Sequence, residues 1–151
     1  MRGIAITDST CLIALERIER LNLLSSSFNR ILIPPQVNVE FGVELGWLQI
    51  QEVKDTNLLK VLRLRLDDGE ASAIALAMEC PGAILILDDL KARKIAITMG
   101  LNITGTIGLI LQCKRKGIIK LVRPILNELQ SVGFNISDAL FQKALILAKE
   151  K

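Results

Sequence analysis

The 151-residue sequence contains no histidine and no tyrosine. Without histidine there can be no Ser-His-Asp triad, no Cys-His pair and no His-ligated zinc. Any acid–base or metal chemistry must therefore run on Asp, Glu, Lys or Cys. Aromatics are scarce, with four Phe and one Trp. The core must be aliphatic, and stacking of successive bases on aromatic platforms is not expected. The three cysteines, Cys11, Cys80 and Cys113, are widely spaced, odd in number and set in apolar runs, with no CxxC. That pattern predicts reduced, buried thiols in a cytoplasmic protein. The N-terminus runs straight into a strand-like segment, so no secretory signal is expected. No charge-free apolar stretch reaches the length of a membrane span. Phosphate-binding loops of the GxGxxG or GxxxxGK[ST] kind are absent.

What is present is a strongly apolar chain. Half of the residues are hydrophobic, mostly Ile, Leu, Ala and Val, enough for a substantial core in one domain spanning 1–151. Nineteen Lys and Arg against 16 Asp and Glu leave a formal charge of +3, which is compatible with a nucleic-acid partner without requiring one.

Strand-like and helix-like segments alternate. The run 3–7 reads as a buried strand ending at Asp8. Ser9 or Thr10 can cap the helix that follows, which continues as an amphipathic stretch over 16–24 before Ser25–Ser27 loosen the chain. A second strand at 30–33 is stopped by Pro34-Pro35. Pro35 suits the first turn of a helix that carries Glu40 and that Gly46 ends. The segment 47–53 alternates apolar and polar, as an edge strand would. A helix at 55–66 leads to Asp67-Asp68-Gly69-Glu70, a helix-start signal with Asp in place of the usual Ser or Thr, and then to an Ala-rich helix. The run 83–87 is the clearest buried strand and leads into Asp88-Asp89. A helix at 90–99, a strand at 102–104 and a helix to Lys116 follow, then helices at about 123–132 and 137–149. This order predicts an α/β fold, a three-layer α/β/α sandwich with a mostly parallel central sheet of four to five strands.

In an open parallel sheet, ligands bind outside the carboxyl ends of the strands. Two predicted strands end in Asp, at Asp8 and at Asp88-Asp89. Glu40 and Glu70 fall near helix starts expected to face the same rim. Taken singly, each acid has a plainer role. Asp8 can be a helix cap, Glu70 can complement a helix N-terminus, Glu40 can be a solvated helix residue, and Asp67 and Asp68 can be turn or cap residues. What points to a site is their convergence. Two carboxylates roughly 5 Å apart repel by about 3 kcal/mol at an effective dielectric near 20, and a divalent cation reverses that sign. Mg²⁺ takes a few carboxylates, waters and phosphate oxygens, and can activate water against a phosphodiester. No His or Cys is needed.

At these residues the chain resembles the PIN-domain family. Thr7-Asp8-Ser9-Thr10-Cys11-Leu12-Ile13-Ala14-Leu15 looks like the opening of PIN domains. Glu40 in Val37-Asn38-Val39-Glu40-Phe41 matches the second acid of that family. Asp68-Gly69-Glu70-Ala71-Ser72-Ala73 matches the third, in a form typical of a prokaryotic, VapC-like branch. Leu87-Asp88-Asp89-Leu90-Lys91-Ala92-Arg93 matches the fourth, with Asp88 and Asp89 equally placed. Gly105-Thr106-Ile107-Gly108, Lys116-Gly117-Ile118-Ile119 and Gly133-Phe134-Asn135-Ile136-Ser137 also fit that branch, so the resemblance covers nearly the whole chain. It implies a metal-dependent endoribonuclease related to the toxins of toxin–antitoxin pairs. Asp8, Glu40, Glu70 and Asp88 or Asp89 would hold Mg²⁺ or Mn²⁺. The implied partners are RNA, a second copy of the chain in a homodimer, and a small antitoxin protein. Ser9 or Thr106 would orient water or phosphate. Glu70 stands where many members carry Asp, which keeps the charge on a longer arm.

Lys91, Arg93 and Lys94 follow the Asp pair and are candidates for holding RNA phosphate, while Arg93 can instead pair with an acid. Lys114-Arg115-Lys116 is better read as cations complementing a helix C-terminus. A response-regulator receiver wants an acidic pair after its first strand, and a haloacid-dehalogenase phosphatase wants Asp two residues after its nucleophile. Here those positions hold Ser9 and Thr10. The main alternative is a catalytically inactive PIN-like module that binds nucleic acid or a protein partner. The apolar C-terminal residues Leu126, Leu129, Phe134, Leu140, Phe141, Leu145 and Leu147 supply core or a dimer face.

Overall fold

A computed structural model describes residues 3–151. Five strands form one sheet in the order β3-β2-β1-β4-β5, and every pairing is parallel. The strands are β1 (Ile4–Thr7), β2 (Arg30–Ile33), β3 (Leu48–Ile50), β4 (Ile84–Ile86) and β5 (Asn102–Thr104). β1 lies at the centre, with Ile6 opposite Leu32 on one side and Leu85 on the other.

Side chains alternate across a strand, and this sheet uses both faces. Ala5, Ile31, Ile33 and Ile86 enter one core with the helices α1 (Ser9–Arg17), α2 (Asn22–Ser27), α3 (Pro35–Phe41), α7 (Thr106–Arg115), α8 (Arg123–Ser131) and α9 (Asp138–Leu147). Ile6, Leu32, Leu85 and Leu87 enter the other, against α4 (Thr56–Arg63), α5 (Asp68–Met78) and α6 (Leu90–Thr98). Burial on both faces is why these strands read as unbroken apolar runs. The edge strand β3 is shorter than the 47–53 segment expected, and its burial does not alternate, since Leu48 is half-buried while Gln49 and Ile50 are both exposed. The three-layer α/β architecture and its predicted strand count therefore hold, with the sheet wholly parallel.

Local differences have identifiable causes. The expected helix over 16–24 is broken. Glu19 adopts a left-handed conformation (φ 57°), and the Arg20 amide donates back to the Leu15 carbonyl at 2.8 Å, a helix-ending bond. The chain restarts as α2, so Ser25–Ser27 are helical rather than loose. The Ser27 hydroxyl donates to the Leu23 carbonyl (2.6 Å) and meets Cys113 Sγ at 3.3 Å. Helix α3 ends at Gly42, not Gly46, because Gly42 takes the left-handed position (φ 71°) and its amide bonds the Asn38 carbonyl. Glu40 thus lies in the last turn of α3, not near its start. Cys11 and Cys113 are buried free thiols, as expected, but Cys80 in the turn after α5 is only half-buried.

Candidate active site

The order β3-β2-β1-β4-β5 has its switch point between β1 and β4. The chain winds outward from β1 to β3, then returns to the other side of β1 and winds outward through β4 and β5. The crevice at such a point is where open α/β sheets bind ligands. β1 delivers Asp8 to it, and β4 delivers Asp88 and Asp89.

Asp8 is the N-cap residue of α1, yet its side chain closes no capping bond. It is 3 % exposed, and its Oδ1 is buried without a hydrogen-bond partner. Burial, then the charge of Asp88 and further that of Glu70, push its carboxyl up to about 8, against a weaker opposing pull from the Cys11 and Thr10 amides. A buried polar atom left unpaired is costly, so a cap role does not account for Asp8. Below it, the Thr7 hydroxyl donates to the Asp8 carbonyl (3.0 Å). The buried Cys11 thiol is pushed far up by burial and by Asp88.

Asp88 and Asp89 have different settings. Asp88 Oδ1 accepts from the Thr106 amide (2.8 Å) and Oδ2 from the Thr106 hydroxyl (2.6 Å). This pins Asp88 to the N-terminus of α7, where a carboxylate is favoured. Asp89 is exposed and caps α6, accepting from the Ala92 amide (2.9 Å). Its charge acts on Glu70, whose carboxyl is raised to about 7 by burial first, then by Asp67 and Asp89. Glu70 sits in the first turn of α5, which Asp67 caps (2.8 Å). Asp68 pairs with Arg63 (2.7 Å). The cap role expected is thus seen for Asp67, whereas Asp68 is already the first residue of α5 and serves as an ion-pair partner rather than a cap or turn residue.

Glu40 is exposed, with its carboxyl raised by partial burial and by Asp67. Its Oε1 accepts from the Ser9 hydroxyl at 3.3 Å. The same oxygen lies where a side chain at position 69 would be, since a Cβ on Gly69 would fall 2.0 Å from it. Gly105 is similarly constrained, because a Cβ there would fall 2.8 Å from Asp88 Oδ1 and 3.0 Å from Arg93 Nη1. Thr7, Gly69 and Gly105 were not singled out in the sequence. Glycine beside expected acids, in Asp68-Gly69-Glu70, was the available signal for Gly69; Gly105, between Thr104 and Thr106, has no acid beside it in the sequence.

The acids therefore form a connected set. Asp8 feels Asp88 and Glu70, and Glu70 feels Asp89 and Glu40. Their donor atoms are all carboxylate oxygens, the set that hard divalent cations prefer, and the unpaired Asp8 Oδ1 supplies a free ligand atom. Among the described residues no three of these side chains converge closely enough to enclose an ion as they stand. Of these acids, Glu40 is exposed and Glu70 half-buried, on the longest side chains of the set.

The expected cations divide. Arg93 is half-buried and donates to the Leu87 carbonyl (2.8 Å). It forms none of the three ion pairs among the described residues. Lys91 and Lys94 are exposed on α6. Lys114 is structural, bonding Glu150 (2.8 Å) and the Ala148 carbonyl. Lys116 bonds the Ser27 carbonyl and lies over the Phe28 ring.

The fold and this rim define an open, all-parallel α/β domain with an oxygen-only acidic crevice at its switch point. The PIN-domain family model matches residues 4–150, and the chain belongs to that family. Its members are generally nucleases and typically use divalent metal ions. No curated protein and no solved structure matches the chain significantly. Among the described residues no helix is long and apolar enough to cross a membrane.

Proposed function

We propose that this chain is a Mg²⁺- or Mn²⁺-dependent endoribonuclease, with Asp8, Glu40, Glu70 and the Asp88-Asp89 pair as its metal-binding acids. The observation that carries this reading is Asp8, a carboxylate buried at the end of the central strand with one oxygen unpaired and acidic neighbours on both sides. The Cys11 and Thr10 amides offset only part of the cost of ionising it there.

When bound, the cation supplies Lewis-acid stabilisation of phosphate charge and a water of lowered pKa. The chain's residues do the rest. Asp88, held by Thr106, gives a rigid oxygen beside Asp8. Glu70 and Glu40 supply longer arms that swing inward, Glu70 from a capped helix start and Glu40 from the Ser9 hydroxyl. Asp89 faces Glu70 while capping α6. In the metal-free site Glu70 holds its proton to about 7, and it would give up that proton to serve as a carboxylate ligand to the bound cation. Ser9 and Arg93 would contact the substrate phosphate.

Within this reading the protein works in the cytoplasm as a homodimer and as the toxin partner of a small antitoxin. The exposed apolar side chains Val61, Leu64 and Ile97 offer surface for such contacts. Size by light scattering, alone and with the product of any adjacent small reading frame, tests both pairings. Cleavage of end-labelled RNA with Mg²⁺, Mn²⁺ or EDTA tests the enzyme. Metal-dependent cutting supports it. RNA binding without metal binding supports the inactive binding module instead.

A further inference from the structure

We propose that the cleft bounded by β5, α7 and α9 is a nucleotide subsite that seats one unpaired nucleotide of the substrate strand beside the bond to be cut. This rests on the nuclease reading above and extends it to residues outside the carboxylate set.

The cleft has a volume of about 510 Å³, within the range of roughly 300–1,000 Å³ usual for small-ligand sites. Asp88 lines it and also belongs to the acidic rim, so the cleft and the site are continuous. Two cations line it, Arg93 and Lys143. The ion pairs among the described residues engage Arg20, Arg63 and Lys114, leaving both of these without a carboxylate partner. Arg93 uses Nη1 on the Leu87 carbonyl, and no other hydrogen bond engages its remaining donors.

The apolar part of the cleft has a specific character. Of the four phenylalanines, Phe28, Phe41 and Phe141 are buried in the core. Phe134 is half-buried, packs against that same core and also lines the cleft, followed by the exposed Asn135. Leu140 and Leu147 line it as well and remain 41 % and 49 % exposed.

A nucleotide presents an anionic phosphate, a flat apolar face and a hydrogen-bonding edge. The free cations, the Phe134 ring and the Asn135 amide meet these three in turn. An apolar peptide would satisfy the leucines alone and leave two cations facing it unpaired. An unpaired base leaves its stack at the least cost, so such a cleft favours single-stranded RNA. Phe134, Asn135 and Lys143 are therefore positioning residues for the substrate strand.

The test uses the full chain and a short fluorescein-labelled single-stranded RNA. Binding is followed by anisotropy in EDTA and in Mg²⁺, and cut sites are mapped on end-labelled RNA. Lys143→Glu, on an exposed position of α9, should weaken binding about tenfold or more and make the salt dependence shallower by about 0.7 in log–log slope, the loss of one single-strand phosphate contact. Phe134→Ala should weaken binding by roughly 5- to 100-fold, the range for losing one base–aromatic stack. Asn135→Ala should broaden the choice of cut site. If the unmodified chain binds and cuts RNA while Lys143→Glu and Phe134→Ala bind within about twofold of it, the subsite is overturned and the nuclease reading stands. If those variants instead change only the monomer–dimer balance in light scattering, the cleft is a contact between copies, and the subsite is likewise overturned. An unmodified chain that neither binds nor cuts RNA overturns the nuclease reading and the subsite with it.

Discussion

Replacing Asp8 by Asn should stabilise the metal-free protein, and by an amount that depends on pH. Burial and the Asp88 charge lift the Asp8 carboxyl from 3.8 to about 8. The folded state therefore holds this proton more tightly than the unfolded chain does. Linkage then gives the sign. The favourable contribution is complete below the unfolded value near 4, and it is lost progressively as pH rises to about 8. At pH 7 the unfolded carboxyl is ionised and the folded one is mostly protonated. With about 1.36 kcal/mol per pH unit, the penalty there is on the order of 4 kcal/mol. Asn keeps the shape and carries no such penalty. At roughly 2–4 °C per kcal/mol for a chain of this size, Asp8→Asn should melt on the order of 10 °C higher than the parent in EDTA at pH 7, with the difference closing toward pH 4. Adding Mg²⁺ should raise the parent's Tm through preferential binding to the folded state and leave the variant's unchanged. The measurement is thermal unfolding by circular dichroism from pH 4 to 8.5, with and without metal. A parent Tm in EDTA that is flat across that range, or an Asn variant less stable at pH 8, would refute the placement of Asp8 as a buried, uncompensated acid.

Metal affinity, followed by calorimetry, should rise between pH 6 and 8 and level off above, since the ion must displace protons from Asp8 and Glu70, which hold them to about 8 and about 7. Gly69→Ala should leave stability within about 1 kcal/mol, because helical backbone accepts Ala. Its Cβ takes the space of the Glu40 carboxylate in the metal-free fold, so it should displace that side chain from Ser9 without unfolding the protein; Glu40→Gln should lower metal affinity about tenfold, and equal affinity in that variant would show that Glu40 is not a ligand. Thr106→Val removes the 2.6 Å bond to Asp88 and should cost about 1.5–3 kcal/mol in denaturant unfolding, as for hydrogen bonds to charged groups. Glu150→Ala should cost about 2 kcal/mol or more, because this nearly buried carboxylate accepts from Lys114 and from the Val122 and Arg123 amides. Burial raises the Glu150 carboxyl, but those bonds outweigh it and hold it below the usual range. Its contribution is present above the ordinary carboxylate pKa and lost as pH falls through the lower folded value, so the cost of the substitution should shrink in acid.

The parallel α/β frame was legible because each internal strand is an apolar run ended by a Pro, Gly or Asp signal, as at 30–35 and 83–88. Burial on both sheet faces leaves that mark directly in the composition. Helix ends set by non-glycine left-handed residues were not legible. Glu19 ends α1 by backbone geometry, and nothing in its identity announces it. Nor was the choice between Gly42 and Gly46, which depends on where the chain must turn toward β3. At the site, the four acidic positions could be named from strand ends and from family resemblance. Their separate environments could not. Asp88 and Asp89 are adjacent in sequence, yet one is tied to Thr106, 18 residues later, and the other to its own helix. Thr106 had been singled out as a phosphate or water ligand, while its contact in the fold is Asp88. The close approaches at Gly69 and Gly105 arise only when α3, α5, β4 and α7 are brought together. The Lys114–Lys116 run sits on a helix end as expected, but its bonds reach the C-terminal segment and α2, which no local pattern encodes.

The most direct test of the central claim is RNA cleavage by the purified chain in Mg²⁺, Mn²⁺ and EDTA, beside Asp8→Asn. Cutting that needs the cation and is lost in the variant, while the variant remains folded and melts higher, is the predicted result. Cutting that persists in EDTA, or that Asp8→Asn performs as well as the parent, would contradict a metal site built on Asp8.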